Sequence, residues 1–296
     1  FETAEKLHYQ KKHRKNNPLQ SKRYRIAILE WVTEEEELED LYYYSIRVGI
    51  EKQAQELGHE IFRVFNLEDW GPLEKADGII ALGKFSPETI RQLESYQKRL
   101  VFVDSNTLVY GHTCVMTDFE TSVYQALAYL IESGHNQIGL LVGQETTADN
   151  RPLQTDPRYM SFKHYLEEKE LYQPDYIRVG NFSSDSGYDM MKELIDELGN
   201  RLPSAFFMAS DALAVGALRA LQEASIPVPD QVSLISFNDT SIAKHVYPPL
   251  STVTVYTEEM GKQAIHSLLQ DLQRGDSGIP TMHTLATRLT IRESTR

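Results

Sequence analysis

Two apolar runs, Ala205-Phe206-Phe207-Met208-Ala209 and Val232-Ser233-Leu234-Ile235-Ser236-Phe237, constrain this chain more than any other feature. Each is short and β-rich, as strands buried on both faces are. The stretch between them, 212–224, reads as a helix, and Ile226-Pro227-Val228-Pro229-Asp230 is its stop signal. Both runs end in small polar residues, Ser210-Asp211 and Asn238-Asp239. In open α/β sheets ligands bind outside the carboxyl ends of the strands, so these four residues are expected at the rim of one cleft. The pattern is that of a sensor site.

The same alternation runs along most of the chain. Strands are expected at 25–29, 60–66, 77–82, 100–104, 137–142 and 176–179, with a tail at 282–292 that alternates like a strand. Helices are expected at 42–57, 87–97, 122–132, 158–169, 187–198 and 257–273. Strands separated by helices mean doubly wound parallel sheets. Roughly ten strands are too many for one ordinary open sheet, which implies two α/β lobes with a cleft between them. The expected division is 24–133 plus 254–281 for one lobe and 134–253 plus 282–296 for the other, with 1–23 as a separate arm.

Charge is distributed unevenly. Residues 1–23 carry seven lysines and arginines against two glutamates, a net +5, which leaves −18 for the rest of a chain whose total is −13. A basic arm on an acidic body suits a protein whose arm meets nucleic acid while its body avoids it, although a solvated basic tail reads the same way. The single cysteine, Cys114, excludes an intramolecular disulfide and points to a reducing compartment. No apolar stretch reaches the roughly 20 residues of a membrane span. A cytoplasmic protein without membrane contact is expected.

A set of phrases gives a more specific reading. They are Ala76-Asp77-Gly78-Ile79-Ile80, Val115-Met116-Thr117-Asp118 and Leu130-Ile131-Glu132-Ser133-Gly134-His135, then Asn181-Phe182-Ser183-Ser184-Asp185-Ser186-Gly187-Tyr188. Ala209-Ser210-Asp211, Ala214-Val215-Gly216-Ala217-Leu218 and Pro248-Pro249-Leu250-Ser251-Thr252-Val253 complete the series. In this order and spacing the chain resembles the LacI/GalR family of sugar-responsive transcriptional regulators over nearly its whole length. The resemblance is strongest to the galactose-operon and evolved-β-galactosidase repressors. It implies a periplasmic-binding-protein-like core that binds a sugar, works as a homodimer and reaches operator DNA through a headpiece. Residues 1–9 resemble the last helix of that headpiece, which is then largely missing. The dimer surface is expected on the helix at 45–57 and on the helix from Pro87.

The resemblance also places candidate effector-binding residues. Arg158 stands where the family has an arginine that grips the ligand, and a forked guanidinium can bridge two vicinal hydroxyls. It is expected at the cleft rim, balanced by Asp118 or Asp211. Phe182 falls where the family has a bulky residue against the sugar ring. Asn238 offers a donor and an acceptor to one hydroxyl, where many relatives carry Asp. Trp31 follows the first strand and Tyr42 begins the next helix, so both are candidate ring contacts, with core packing the plainer alternative. Ser210 is expected to reach the ligand through water, and Asp118 closes a similar strand end. A neutral ligand, galactose or a galactoside, fits best.

No catalytic motif, metal cluster or cofactor loop is present: there is no His-Glu-x-x-His, Gly-x-Ser-x-Gly or P-loop. The rival readings are a freestanding sugar-binding protein of a transport system and a sugar-processing enzyme. The second would need Asp118 and Asp211 as its acid and base.

Overall fold

The computed structural model describes residues 22–31, 33, 41–65, 69–149, 151–153, 155–274 and 278–296. The basic arm up to residue 21 and the acidic stretch 34–40 lie outside the described residues. In chain order the first lobe begins with β1 (Arg25–Glu30), α1 (Leu41–Glu56), β2 (Glu60–Phe65), β3 (Gly78–Leu82), α2 (Pro87–Glu94), β4 (Arg99–Val103) and β5 (Thr113–Thr117). Then come α3 (Phe119–Glu132), β6 (Ile138–Gly143), α4 (Pro157–Glu168), β7 (Ile177–Gly180), α5 (Ser184–Leu198), β8 (Ala205–Met208), α6 (Asp211–Glu223) and β9 (Ser233–Asn238). The last elements are α7 (Ser241–His245), β10 (Ser251–Thr254), α8 (Thr257–Arg274), β11 (Met282–Leu285) and β12 (Arg288–Thr290).

Two six-stranded sheets result, ordered β11-β5-β4-β3-β1-β2 and β12-β10-β9-β8-β6-β7. The first is parallel throughout, and in the second only β12 runs antiparallel, against β10. Helices cover both faces, which is why the central strands are apolar on both sides. In β1, Ile26 and Ile28 join one buried cluster while Ala27 and Leu29 join another on the opposite face. Each lobe also has a pair of helices in backbone contact through glycines. A Cβ on Gly49 of α1 would lie 2.3 Å from the Glu258 carbonyl oxygen of α8, and one on Gly216 of α6 would lie 1.8 Å from that of Ser184 in α5. Any larger residue would force these helices apart.

The chain crosses between lobes three times, and two crossings fall elsewhere than the sequence pattern suggests. Helix α3 was assigned to the first lobe. It packs instead on α4 of the second, with the Tyr124 and Tyr165 rings 4.8 Å apart. The tail at 282–292 is not one strand. β11 pairs with β5 in the first sheet, and β12 pairs with β10 in the second. Both halves alternate in polarity, so periodicity continues unbroken while the chain changes lobe at 286–287. The remaining crossing joins β10 to α8 at 255–256. The apolar stripes expected to serve a dimer are used inside the first lobe: Ile46, Ile50 and Ala54 of α1 are buried, as are Ile90 and Leu93 of α2.

Candidate functional site

Strand ends of the two sheets face each other across the cleft, on opposite sides from which contacts are short. Lys84, just after β3, lies 3.7 Å from Glu145, just after β6, and its carbonyl accepts a hydrogen bond from the Ala148 amide at 2.9 Å. Each lobe lays an aromatic ring across a strand-end glycine. A Cβ on Gly83 would fall 2.3 Å from that of Trp31, and one on Gly143 would fall 2.3 Å from the Phe182 ring. Trp31 meets Tyr43 edge-on, with centroids 5.3 Å apart. Both aromatics are half-buried and follow strand ends, Trp31 after β1 and Phe182 after β7.

Arg158 is not on the rim. It is 7 % exposed, in the first turn of α4. Nε and Nη2 donate to the two carboxylate oxygens of Asp156 at 2.9 and 2.6 Å, and Nη1 donates to the Ala209 carbonyl at 2.8 Å. The rings of Phe182, Phe119 and Phe237 surround the guanidinium at 4.5, 5.4 and 5.6 Å. Burial opposes the charge, but Asp156, reinforced by Glu145 and Asp104, more than offsets it and raises the Arg158 pKa. The reciprocal effect on Asp156 overcomes its own burial and lowers its pKa. Its counter-ion is therefore Asp156, not Asp118 or Asp211. Among the described residues three of the five guanidinium N–H groups find acceptors, which leaves two.

Asn238 follows Phe237 at the end of β9. It has φ +110 and the next residue, Asp239, has φ +59, a backbone geometry that non-glycine residues rarely adopt and that collects at functional sites. Asp239 is held by Thr254 Oγ1 at 2.8 Å and by Arg292 at 2.6 Å, so it anchors the strained turn. The Asn238 amide is almost enclosed and bonds to none of the described side chains.

Three further candidate residues have partners within the protein. Ser210 is fully buried, and its Oγ accepts from the Leu213 amide at 3.2 Å as the N-cap of α6. The Tyr42 hydroxyl donates to Asp104 at 3.3 Å, and Tyr43 donates to the other Asp104 oxygen at 2.8 Å. Asp118 is the N-cap of α3 at the first crossing, accepting from the Thr121 amide at 3.1 Å. Asp211 binds Ser236, the amide and hydroxyl of Thr240, and Thr252, tying α6 to β9 and β10. Burial outweighs these bonds and pushes its pKa up to about 6.

Sequence reading marks Lys84 as the one lysine after a cleft strand end, and it does not single out Asp104, Glu145 or Asp156. Lys84 donates to the Asp104 carboxylate at 2.7 Å and to its carbonyl at 2.5 Å. Burial works against the ammonium, yet Asp104 and Glu145 raise its pKa. Glu145 has its pKa raised, by burial first, against the pull of Lys84 and Arg158. Asp104 and Glu145 were accessible to the same strand-end argument that selected Trp31 and Asn238. Among the described residues no cluster of histidine, cysteine, aspartate and glutamate could hold a metal ion.

Residues 145–149 and 151–153, bridged through Thr146 and Pro152, clasp the first lobe. The two segments pair through Thr147 and Leu153, whose amides donate to Arg151 and Glu145 carbonyls at 2.7 and 3.0 Å. Beyond the Ala148–Lys84 bond, Ser86 donates to Asp149 at 3.0 Å and Arg151 reaches Glu88 at 2.5 Å. Sequence reading assigned no element here.

Residues 127–295 match the family model described as a periplasmic binding protein-like domain. The HTH-type transcriptional regulator GalR of Streptococcus thermophilus is 51% identical over 293 residues, 99% of this chain and 88% of that protein. The chain belongs to the LacI/GalR family. Its relatives include the regulator GalR of Lacticaseibacillus casei, 38% identical over 99% of this chain and 88% of that one. GanR of Bacillus subtilis (strain 168) is 35% identical with the same coverages. Among solved LacI/GalR-like structures, a CelR–cellobiose complex superposes with TM-score 0.81 at 23% identity, covering 99% of this chain and 88% of that one. A lac repressor dimer bound to operator and an anti-inducer gives 0.78 at 21%, covering 99% and 98%. At those identities the structures establish the shared fold.

Proposed function

We propose that this chain is the effector-binding and dimerisation core of a cytoplasmic transcriptional repressor that responds to galactose or a galactoside. One observation carries the reading: a guanidinium fixed by Asp156, ringed by three phenyl groups, with two N–H donors unspent. Such a group suits a pair of vicinal hydroxyls, and the phenyl faces suit sugar C–H surfaces. Asn238 supplies the reciprocal donor and acceptor. The relatives named GalR, matched over 99% of the chain, support galactose as the sugar.

Charge argues for a neutral ligand. The cleft holds Lys84 and Arg158 against Asp104, Glu145 and Asp156, and both cations already have carboxylate partners. A sugar phosphate would bring two further negative charges without a free cation to meet them. Binding acts by favouring the closed arrangement of the lobes over the one that presents headpieces to the operator. The coupling is of order 1–3 kcal/mol per site, and operator must weaken the sugar by the same factor. We assign no catalysis, because the relatives reported above are named transcriptional regulators. A transport-system binding protein is the poorer reading for the same reason.

Calorimetric titration of galactose, lactose, glucose and galactose 1-phosphate tests the assignment. Galactose or lactose is expected to bind with the phosphate weakest. A preference for the phosphate would overturn the neutral-ligand reading, and no response to any sugar would remove the sensor itself.

A further inference from the structure

Beside the Arg158 site lies a second space. A cavity of about 400 Å³ opens at the outer edge of the second sheet, within the range of small-molecule pockets, about 300–1,000 Å³. It shares two residues with the Arg158 site. Asp156 lines it while clamping the guanidinium, and Gly143 lines it while lying against the Phe182 ring. The three N–H groups that Asp156 accepts, two from the Arg158 side chain and one from its amide, leave one of roughly four carboxylate lone pairs for a hydroxyl.

The walls are amphiphilic. Leu153, Val179 and the Tyr159 ring supply apolar surface, and Gln144 and Thr155 supply neutral hydrogen-bonding groups. Asp156 is the only charged residue among the described ones that line it, so the cavity suits a neutral polyol ring and disfavours a phosphate or carboxylate. Leu153 and Gln144 belong to or flank the bridged segments 145–149 and 151–153, and Val179 is 57% exposed at the opening.

We infer that this cavity is a subsite for the second unit of a glycoside, so that the effector is a galactosyl disaccharide rather than free galactose. This rests on the proposed binding of the first ring at Arg158. Calorimetry with galactose, lactose and melibiose on the wild-type chain and on Val179→Trp tests it, because tryptophan at that exposed edge position fills the cavity without entering the core. Gln144→Ala, at another exposed residue, removes an amide without adding bulk and keeps the test readable should the first variant fail to fold. Wild type is expected to bind one of the disaccharides at least tenfold more tightly than galactose. Val179→Trp should erase that advantage and Gln144→Ala should reduce it several-fold, both leaving galactose affinity within twofold. Equal wild-type affinities for galactose and both disaccharides, or variants that weaken all sugars alike, would overturn the subsite while leaving the first-ring reading intact. Absence of binding by any of the three sugars to wild type would overturn both.

Discussion

The two lobes share a fold and present opposite kinds of cleft edge. In the first lobe Lys84, Asp104, Tyr42 and Tyr43 satisfy one another, and the hydroxyls and ammonium that reach Asp104 are spent on it. In the second lobe Arg158 and Asn238 retain hydrogen-bonding capacity among phenyl rings. One edge is a closed polar network and the other is an unfinished one. On the proposed function the second lobe is the one that grips the sugar, and the first supplies Trp31 and a fixed surface to close on. Unfinished polar groups in a nearly enclosed place are costly until a partner arrives. That cost is what a ligand relieves on closure.

The largest test of this contrast is Arg158→Ala. It is expected to remove measurable sugar binding by calorimetry. It should also destabilise the fold by about 3–5 kcal/mol in denaturant titration, because Asp156 is left buried without its counter-ion. Asp156→Asn/Arg158→Met should recover much of the stability and none of the binding. If Arg158→Ala kept both affinity and stability, the second lobe would not be the gripping edge.

What the sequence revealed follows from which interactions are local. Strand runs such as 205–209 and helix stops such as Pro227 act over a few residues, so elements and their polar ends were legible. Arg158 was found through the family resemblance, yet its burial was not. Its rings come from Phe119, Phe182 and Phe237, and nothing in the sequence marks them as neighbours. Its counter-ion is only two residues away, but Asp156 also reads as an ordinary helix cap, which it is. The lobe exchange of α3 and β11 left no trace because periodicity reports which face is buried, not against which sheet. Asp104 was missed for a different reason: it ends its strand run as Asn238 does, but no matching phrase drew attention to it.

A middle-sized effect separates two carboxylates of the second lobe by pH. Asp211, in the second lobe, has neutral donors around it and no cation, and its pKa is pushed up to about 6 by burial. A carboxyl raised above its unfolded value near 3.9 binds more protons in the native state. Its contribution is therefore most favourable below about pH 4 and is lost as pH rises towards 6, by up to about 3 kcal/mol at neutrality. Asp156, lowered by Arg158, works the other way, giving stability that is lost as pH falls. Asp211→Asn should remove the first slope and leave the second. Chemical denaturation of both proteins between pH 4 and 7 reads the difference, and parallel curves would show that Asp211 stays ionised in the fold.

The smallest effect concerns the clasp at 145–149 and 151–153, which fastens the gripping edge to the closed one. Its outer ion pair, Arg151 with Glu88, has both side chains about half exposed, and such pairs contribute about 0–1 kcal/mol. Asp149→Ala/Arg151→Ala removes that pair and the Ser86 bond but leaves the Ala148–Lys84 backbone bond in place. Because none of these side chains belongs to the Arg158 site, the intrinsic contacts to a sugar should be unchanged. The closed state alone should lose stability, so dissociation should accelerate by roughly two- to fivefold, the factor that up to about 1 kcal/mol allows. Stopped-flow displacement of bound sugar measures it directly. Added salt should narrow the gap between wild type and variant, since exposed ion pairs are screened. An unchanged off-rate at low salt would mean that the Asp149 and Arg151 side chains are passive in closure.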